Sequence, residues 1–575
     1  MKLIQKYIAT TLIAATMTIG ASAQKADQIF KAAGSPANPK VAISWNKYYD
    51  HAGITEICKK IAAAYPELVK LESIGKSFEG RDLWCLTITD TRKGKAELKP
   101  AMYIDGNIHS NEIQGAEFAM YTAWYLTESF ADTKFIKELL ADKTFYIVPS
   151  INPDGRDSYM HKGNTANSPR SGVIPVDNDR DGLVDEDGYD DLDGDGEIVY
   201  MRRKNPNGNF RVDPSDKTRM IQVAPDEKGD YELLGLEGID NDGDGLVNED
   251  GYVFEYDPNR DWGWGWQPNY IQGGAYKYPF SLPENRAVME FVMKHPNISA
   301  AQSYHNSGGM ILRGPGGKED VDTYNQQDVK VYDFIAKKGE ELLPGYKYLV
   351  VYKDLYSAYG GELDWFYGGR GIYTYSNELW TSYLMFNKQD GDDNEENRFN
   401  NLLLFKDAFV EWHEYDHPQY GKIEIGGFKK NFGRAHPGFL LESDAHRNMA
   451  FSIYHCFHTP KLEIDSVSEK DLGGGLREIT AVIANRRIMP THSSQDAKFK
   501  IERPDYISIS GVKVVAGMTV QNRDLNLTTE QKTDAAKLEV DNIPGMGTVT
   551  VRWIVQGSGK FTINVDSRKG GVAGR

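Results

Sequence analysis

The sequence predicts an α/β domain, a mixed β-sheet flanked by helices, followed by a small C-terminal β-sandwich. Three observations carry this expectation. From residue 54 to residue 378, apolar runs of strand length alternate with segments whose apolar residues recur at helical spacing, the pattern of layered strands and helices. From about residue 460, short strand-like runs such as Leu476 to Ile483, Ile507 to Val514 and Thr548 to Val555 alternate with polar turns. The chain has 575 residues, more than one core usually organises.

Taken in order, residues 1–23 read as a secretory signal. Lys2 and Lys6 form a basic start, Ile8 to Ile19 an apolar centre, and Ala21-Ser22-Ala23 a cleavage box. The expected mature protein begins near Gln24, is exported to the periplasm or medium, and has no later membrane span. The α/β domain is expected over 24–420, a connecting strand and helix over 421–459, and the sandwich over 460–575. Ile54 to Tyr65 has helical spacing and stops at Pro66. Val69 to Ile74 and Leu83 to Ile88 form a hairpin around a glycine-bounded turn. The apolar run from Ala101 ends at Gly106-Asn107, and a helix starts at or near Glu112 and continues to Phe130. A helix over Lys134 to Ala141 and a buried strand over Thr144 to Val148 follow. Ligands of such sheets sit beyond the strand C-termini, where His109 and Asn152 fall. Farther on come a helix from Pro283 to Met293, a strand from Ile298 to Tyr304 with His305 at its end, and a helix from Asp328 to Leu343. The domain closes with a strand from Ile372 to Leu379, which carries Glu378, and a helix from Glu396 to Glu414.

The formal charge is −17, which argues against a nucleic-acid partner. That charge is local. Nineteen acids lie in two inserts, 177–197 and 237–257, against one arginine, so the rest of the chain is near neutral. Each insert carries acids at alternate positions followed by glycine: Asp177, Asp179, Asp181 and Asp185 in the first, and Asp240, Asp242, Asp244 and Asn248 in the second. Oxygen ligands spaced this way suit calcium, with glycine allowing the tight turn. The twelfth position holds Gly188 or Gly251 instead of a bidentate glutamate, and a solvated acidic loop is the other reading. Three cysteines, Cys58, Cys85 and Cys456, allow at most one disulfide, so the fold rests on its hydrophobic core.

His109 and Glu112 stand three apart after a strand, a spacing that lets an imidazole and a carboxylate converge on one ion. Glu378 sits late in an apolar strand, where a carboxylate needs a partner. His436, His446, His455 and His458 match no metal spacing and are read as structural or surface residues. Together His109, Glu112, Asn152-Pro-Asp-Gly155, Asn259-Arg260, His305 and Glu378 resemble, in order and wording, the zinc metallocarboxypeptidase family of carboxypeptidases A and B. The resemblance spans roughly residues 45–415, and the segments Gly75 to Arg81 and Gly360 to Trp365 look like two more of its signatures.

The resemblance implies one zinc ion per chain, held by His109, Glu112 and His305, with Asp257 accepting the second ring N–H of His109. It further implies Glu378 as general base, Arg203 as oxyanion donor, Asn259 and Arg260 as the grip on the substrate's terminal carboxylate, and Tyr356 as a cap. Leu363, with Val351, Leu355 and Ala358 nearby, would floor an apolar specificity pocket. The implied substrate is the C-terminus of a peptide or protein; the partner of the β-domain is unknown. Two departures matter. Asn111 stands where the digestive enzymes carry arginine, and the acidic inserts are absent from their core. Two rival readings keep part of this picture: hydrolysis of cell-wall peptides, including γ-glutamyl linkages to diaminopimelate, at the same zinc site, and a calcium-dependent binding protein with an inactive hydrolase core.

Overall fold

The computed structural model of the protein describes residues 33–574 apart from 37, 178–181, 251–255, 390 and 393. Residues 1–23 and the calcium candidates Asp179 and Asp181 lie outside the described residues. Helix α1 (His51–Ala64) is capped by Asp50, which accepts the Gly53 N–H at 2.8 Å, and buries Ile54, Ile57, Cys58 and Ile61 along one stripe. Strands β1 (Val69–Lys76) and β2 (Asp82–Ile88) pair antiparallel. After them come β3 (Ala101–Gly106), α2 (Gln114–Glu128), α3 (Lys134–Asp142), β4 (Thr144–Val148) and α4 (Pro153–His161).

Residues 200–236 hold four strands, β5 (Tyr200–Gly208), β6 (Phe210–Val212), β7 (Met220–Gln222) and β8 (Gly229–Leu236). The α/β pattern then resumes with α5 (Pro283–Lys294), β9 (Ile298–Asn306), β10 (Met310–Arg313), α6 (Gln326–Leu342), β11 (Lys347–Val350) and β12 (Tyr373–Leu379). The main sheet has the order β1-β2-β4-β3-β9-β12-β10-β11. Its central neighbours β4, β3, β9 and β12 run parallel, and the hairpin and β10 pair antiparallel to them, so the sheet is mixed as expected. Every residue of β3, β4 and β9 is buried, which explains why they read as unbroken apolar or small-residue runs.

Three expectations need correction. The segment read as one closing helix, Glu396 to Glu414, is a helix α7 (Glu395–Leu403) and then a strand β13 (Phe409–His417). Positive φ at Phe405 and Lys406 breaks the helix, and antiparallel pairing with β14 (Gly421–Phe428) takes the rest. That hairpin joins β5 to β8 in a second sheet, order β13-β14-β5-β8-β6-β7, around a small core of Val199, Met201, Ile423 and Ile425. The second correction concerns 421–459, which is part of the α/β body and not a connector. Helix α8 (Gly438–Phe457) buries Leu441, Met449, Phe451, Ile453 and Cys456 in the main core, and Asn448 Oδ1 accepts from Asn377 Nδ2 of β12 at 2.7 Å. The third is the run Ile507 to Val514, which turns at Gly511 with φ +88° and divides between two sheets.

The C-terminal part is a two-sheet sandwich. One sheet orders β15 (Leu462–Gly473), β16 (Leu476–Asn485), β21 (Thr548–Gln556), β18 (Lys513–Asn522) and β19 (Leu527–Gln531). The other orders β20 (Lys537–Val540), β17 (Asp505–Ser510), β22 (Thr562–Ser567) and β23 (Gly571–Gly574). Ile479, Ile483, Ile507, Leu538, Val551, Trp553 and Val565 fill the space between them. A short helix α9 (Ser494–Phe499) docks this unit onto the α/β domain.

The docking is specific and buried. Ser493 Oγ and Lys569 Nζ donate to the Gly371 carbonyl, Lys569 Nζ also to that of Arg370, and Gln495 Nε2 to that of Gly368. These carbonyls end the wide helical turn Trp365–Gly369, between Leu363 and β12, so the sandwich caps a helix terminus of the other domain. Beneath them His492 lies 3.2 Å from Asp496 and 3.3 Å from Asp505, and Lys569 lies 2.8 Å from Asp496. Among the described residues no helix is long and apolar enough to cross a membrane.

Candidate metal centre and active site

Strands β3, β9 and β12 are neighbours and parallel, so their C-termini open on one edge. The register sets Glu378 beside His305 and Gly106 beside Tyr304. His109 follows β3 in a turn closed by the Glu112 N–H on the His109 carbonyl, 3.2 Å. Glu112 therefore precedes α2 by two residues instead of starting it. The turn sits close against the sheet because Gly106 and Gly115 face each other. A Cβ on Gly106 would lie 2.6 Å from the Gly115 backbone, and one on Gly115 would lie 2.9 Å from the Tyr304 carbonyl.

His109 Nδ1 lies 2.9 Å from Glu112 Oε1, His305 Nδ1 3.0 Å from Glu112 Oε2, and the two Nδ1 atoms 3.3 Å from each other. All three side chains are 2–3% exposed. His109 Nε2 is 2.9 Å from Asp257 Oδ1, which assigns the proton to Nε2 and leaves the Nδ1 lone pair facing the cluster. Two imidazole nitrogens and a carboxylate about 3 Å apart match the edge of a tetrahedron with bonds of about 2 Å. Burial alone would raise the Glu112 carboxyl, yet His109 and His305 hold it well below the usual range. The residues fit zinc.

Burial and the Glu112 charge push Glu378 up, against the pull of His305, His109 and Arg170. Asp257 is held low by His109, Arg260 and Arg170 despite its burial. Asn259 accepts the Glu362 N–H on Oδ1 at 2.8 Å, and Arg260 donates to the Asn259 carbonyl at 2.7 Å while its buried Nε has no partner among the described residues. Tyr356 is 57% exposed at the mouth. Leu363 packs with Leu312, Val351 and Ala358, whereas Leu355 is 38% exposed and stands outside that cluster. Beneath the site Asp105 and Glu362 form a buried carboxyl pair, both pushed up chiefly by burial, with Ser303 Oγ donating to Glu362 at 2.9 Å.

Arg203 is a correction. It lies on β5 of the second sheet, 40% exposed, with Nη2 2.5 Å from Glu232, and it touches none of His109, Glu112 or His305. The strand pairing of β5 with β8 holds it there. Arg170 occupies the centre instead, with Nη1 3.1 Å from Glu112 and Nε 3.4 Å from Asp257, close enough to act on Glu378 and Tyr356. Residues 162–172 have no periodicity and no motif, so no local signal marked Arg170. A second unforeseen guanidinium, Arg434, approaches from the loop between β14 and α8. Its Nη2 is 3.4 Å from Asn111 Oδ1, 3.5 Å from Glu112 Oε1 and 3.5 Å from the Asn306 carbonyl.

The acidic inserts pack on each other. Asp250 accepts from the N–H groups of Glu186 and Asp187, and Asp187 accepts from those of Asn241 and Glu249, so equivalent residues of the two copies exchange bonds. The carboxylates of Asp240, Asp242 and Asp244 come within 4.8 Å of one another, as do those of Asp191, Asp193 and Glu237. Asp177 accepts the Gly182 N–H, Asp185 accepts the Val176 N–H, and Asn248 donates to the Leu236 carbonyl, so each already has a partner within the inserts or beside them. His436 bonds Asp444 at 2.8 Å, and burial drives His455 down to about 3 and His458 to about 4, in keeping with structural roles.

Compared with known families, residues 54–398 match the zinc carboxypeptidase family. The chain belongs to the zinc carboxypeptidases. Residues 461–575 match a family described only as a domain of unknown function, and 399–460 fall between the two matches. Carboxypeptidase Z of Rattus norvegicus is 35% identical over 127 residues, 22% of this chain and 19% of that protein. Carboxypeptidase B of Astacus astacus is 35% identical over 114 residues, 20% of this chain and 35% of that protein. The matched stretch thus spans 19% and 35% of these relatives. Among solved structures, thrombin activatable fibrinolysis inhibitor is similar at 18% identity, covering 73% of this chain and 79% of that one, with a TM-score of 0.42. Carboxypeptidase A from Helicoverpa armigera is similar at 16% identity, covering 74% and 76%, also with a TM-score of 0.42. In this zinc carboxypeptidase chain His109, Glu112 and His305 form a group that could hold a metal ion.

Proposed function

We propose that the protein is an exported carboxypeptidase that hydrolyses C-terminal peptide bonds, with one zinc ion on His109, Glu112 and His305. The observation that carries this reading is the convergence of those three buried groups beside Glu378 on the adjacent strand. Zinc held there supplies a Lewis acid that polarises the scissile carbonyl and acidifies water. Glu378 takes the proton of the attacking water and delivers it to the leaving amine; its raised affinity for protons suits both halves of that transfer. Arg170 donates to the oxyanion as the carbonyl becomes tetrahedral. Asn259 and Arg260 grip the terminal carboxylate, Tyr356 closes over it, and Leu363 with its apolar neighbours receives the last side chain.

Removing zinc by chelation, or substituting His305→Ala or Glu112→Ala, is expected to abolish release of C-terminal residues and tight zinc binding, read by metal analysis and product mass. Glu378→Gln should keep zinc and fold while lowering kcat by about a hundredfold to ten-thousandfold. Wild-type protein that cleaves only γ-glutamyl wall peptides would transfer the site to that substrate class. We further propose that the acidic inserts bind calcium, a reading that rests on the grouping of the Asp240, Asp242 and Asp244 carboxylates. Millimolar calcium should raise the melting temperature and lower KM more than it changes kcat; calorimetry without heat of binding would exclude it. Export rests on the residues 1–23, and N-terminal sequencing of the mature protein is expected to begin near Gln24.

A further inference from the structure

Arg434 lies outside both family matches, in the loop from 429 to 437. Its position is built, not incidental. Gln114 Nε2 and Asn306 Nδ2 both donate to the Arg434 carbonyl, at 3.0 and 2.9 Å. Gln114 stands two residues after the metal-ligand candidate Glu112, and Asn306 one after His305, so the loop is tied to both ligand segments at once. Lys430 Nζ anchors its base on the carbonyls of Tyr159 and Lys162 at 2.8 Å, and Tyr48 donates to the His436 carbonyl at 2.8 Å. Ala435 packs against Ile113 and Tyr159.

The guanidinium so positioned is under-used. Nη2 makes three long contacts of 3.4–3.5 Å, and the buried Nε has no partner among the described residues. A guanidinium has five donors, and burying one without an acceptor is costly. Arg170 and Arg260 both lie against Asp257, whereas Arg434 lies against Asn111 and Asn306. Arg260 thus bears on Asp257 and Arg434 on Asn111 and Asn306, while Glu112 Oε1 is shared by Arg170 and Arg434. On the reading above the terminal carboxylate of a bound peptide goes to Asn259 and Arg260, which leaves the Arg434 donor, unpartnered among the described residues, for the chain upstream of the scissile bond.

We propose that Arg434 is a substrate-binding residue that donates to a backbone carbonyl upstream of the scissile bond. It brings a guanidinium to Asn111 from a segment remote in sequence. This rests on the carboxypeptidase reading above. Arg434 contributes affinity for longer peptides, through a charge-assisted bond of the kind that changes binding about tenfold to a hundredfold.

The test uses full-length zinc-loaded protein and two non-cleaved ligands, each ending in a D-amino acid: a free dipeptide and an N-acetylated tetrapeptide sharing its last two residues. Calorimetry of wild type, Arg434→Met and Arg434→Lys is run beside zinc analysis and melting curves. Arg434→Met should weaken the tetrapeptide about tenfold or more, change the dipeptide less than about twofold, and keep zinc and melting temperature. Arg434→Lys should fall between, keeping charge without the fork. Equal weakening of both ligands, loss of zinc, or unchanged tetrapeptide affinity would overturn the role of Arg434. Wild type binding neither peptide would overturn the carboxypeptidase reading and this proposal together.

Discussion

A guanidinium acts on a developing oxyanion only if it reaches the reacting carbonyl, so Arg170 and Arg203 can be separated by experiment. Arg170→Met is expected to lower kcat by about a hundredfold or more, while Arg203→Met leaves steady-state kinetics within about twofold and costs only its surface pairing with Glu232. Kinetics on one peptide series would check both. The same contrast shows what single residues reveal in sequence. His109, Glu112, His305 and Glu378 were legible because each sits at a strand end or in a short turn, where local pattern and family wording agree. Arg170 was not, since it stands in an aperiodic stretch, and the pair Arg434 and Glu112 is separated by 322 positions. Long-range contacts leave no local trace.

At the scale of elements, the buried parallel strands were predicted well because both faces are covered and their composition is nearly uniform. The second sheet was not. β5 and β13 bury only a few of their residues and pack around a core of four, so their apolar signal is thin. The turn from Trp365 to Gly371 carries its own prediction. Gly371 has φ +63°, and a Cβ there would lie 2.7 Å from Asp496 Cβ and Ser493 Oγ. Gly371→Ala should destabilise the protein by about 1–3 kcal/mol and raise KM more than it lowers kcat, because the pocket residue Leu363 leads into this turn. Melting curves and peptide kinetics would measure the two effects.

For the molecule as a whole, a titrating buried contact lies inside the C-terminal unit, next to the residues that dock it on the peptidase domain. Burial alone would pull the His492 imidazole down, but Asp496 and Asp505 push it up to about 9. A group whose folded pKa is raised contributes stability fully below its unfolded value near 6.5 and loses that contribution as pH rises through about 9. The melting temperature should therefore decline between roughly pH 7 and pH 10, and His492→Gln should flatten that decline. The caps that Ser493, Gln495 and Lys569 place on Gly368, Arg370 and Gly371 also set an order in time. All of the candidate zinc ligands and Glu378 are translated before residue 379, yet the turn that feeds β12 is completed only when Lys569 has been made. At about 5–20 residues per second, roughly ten to forty seconds separate the two events. During that interval the Gly368, Arg370 and Gly371 carbonyls lack these donors, so the frame that presents Glu378 is the part of the domain finished last.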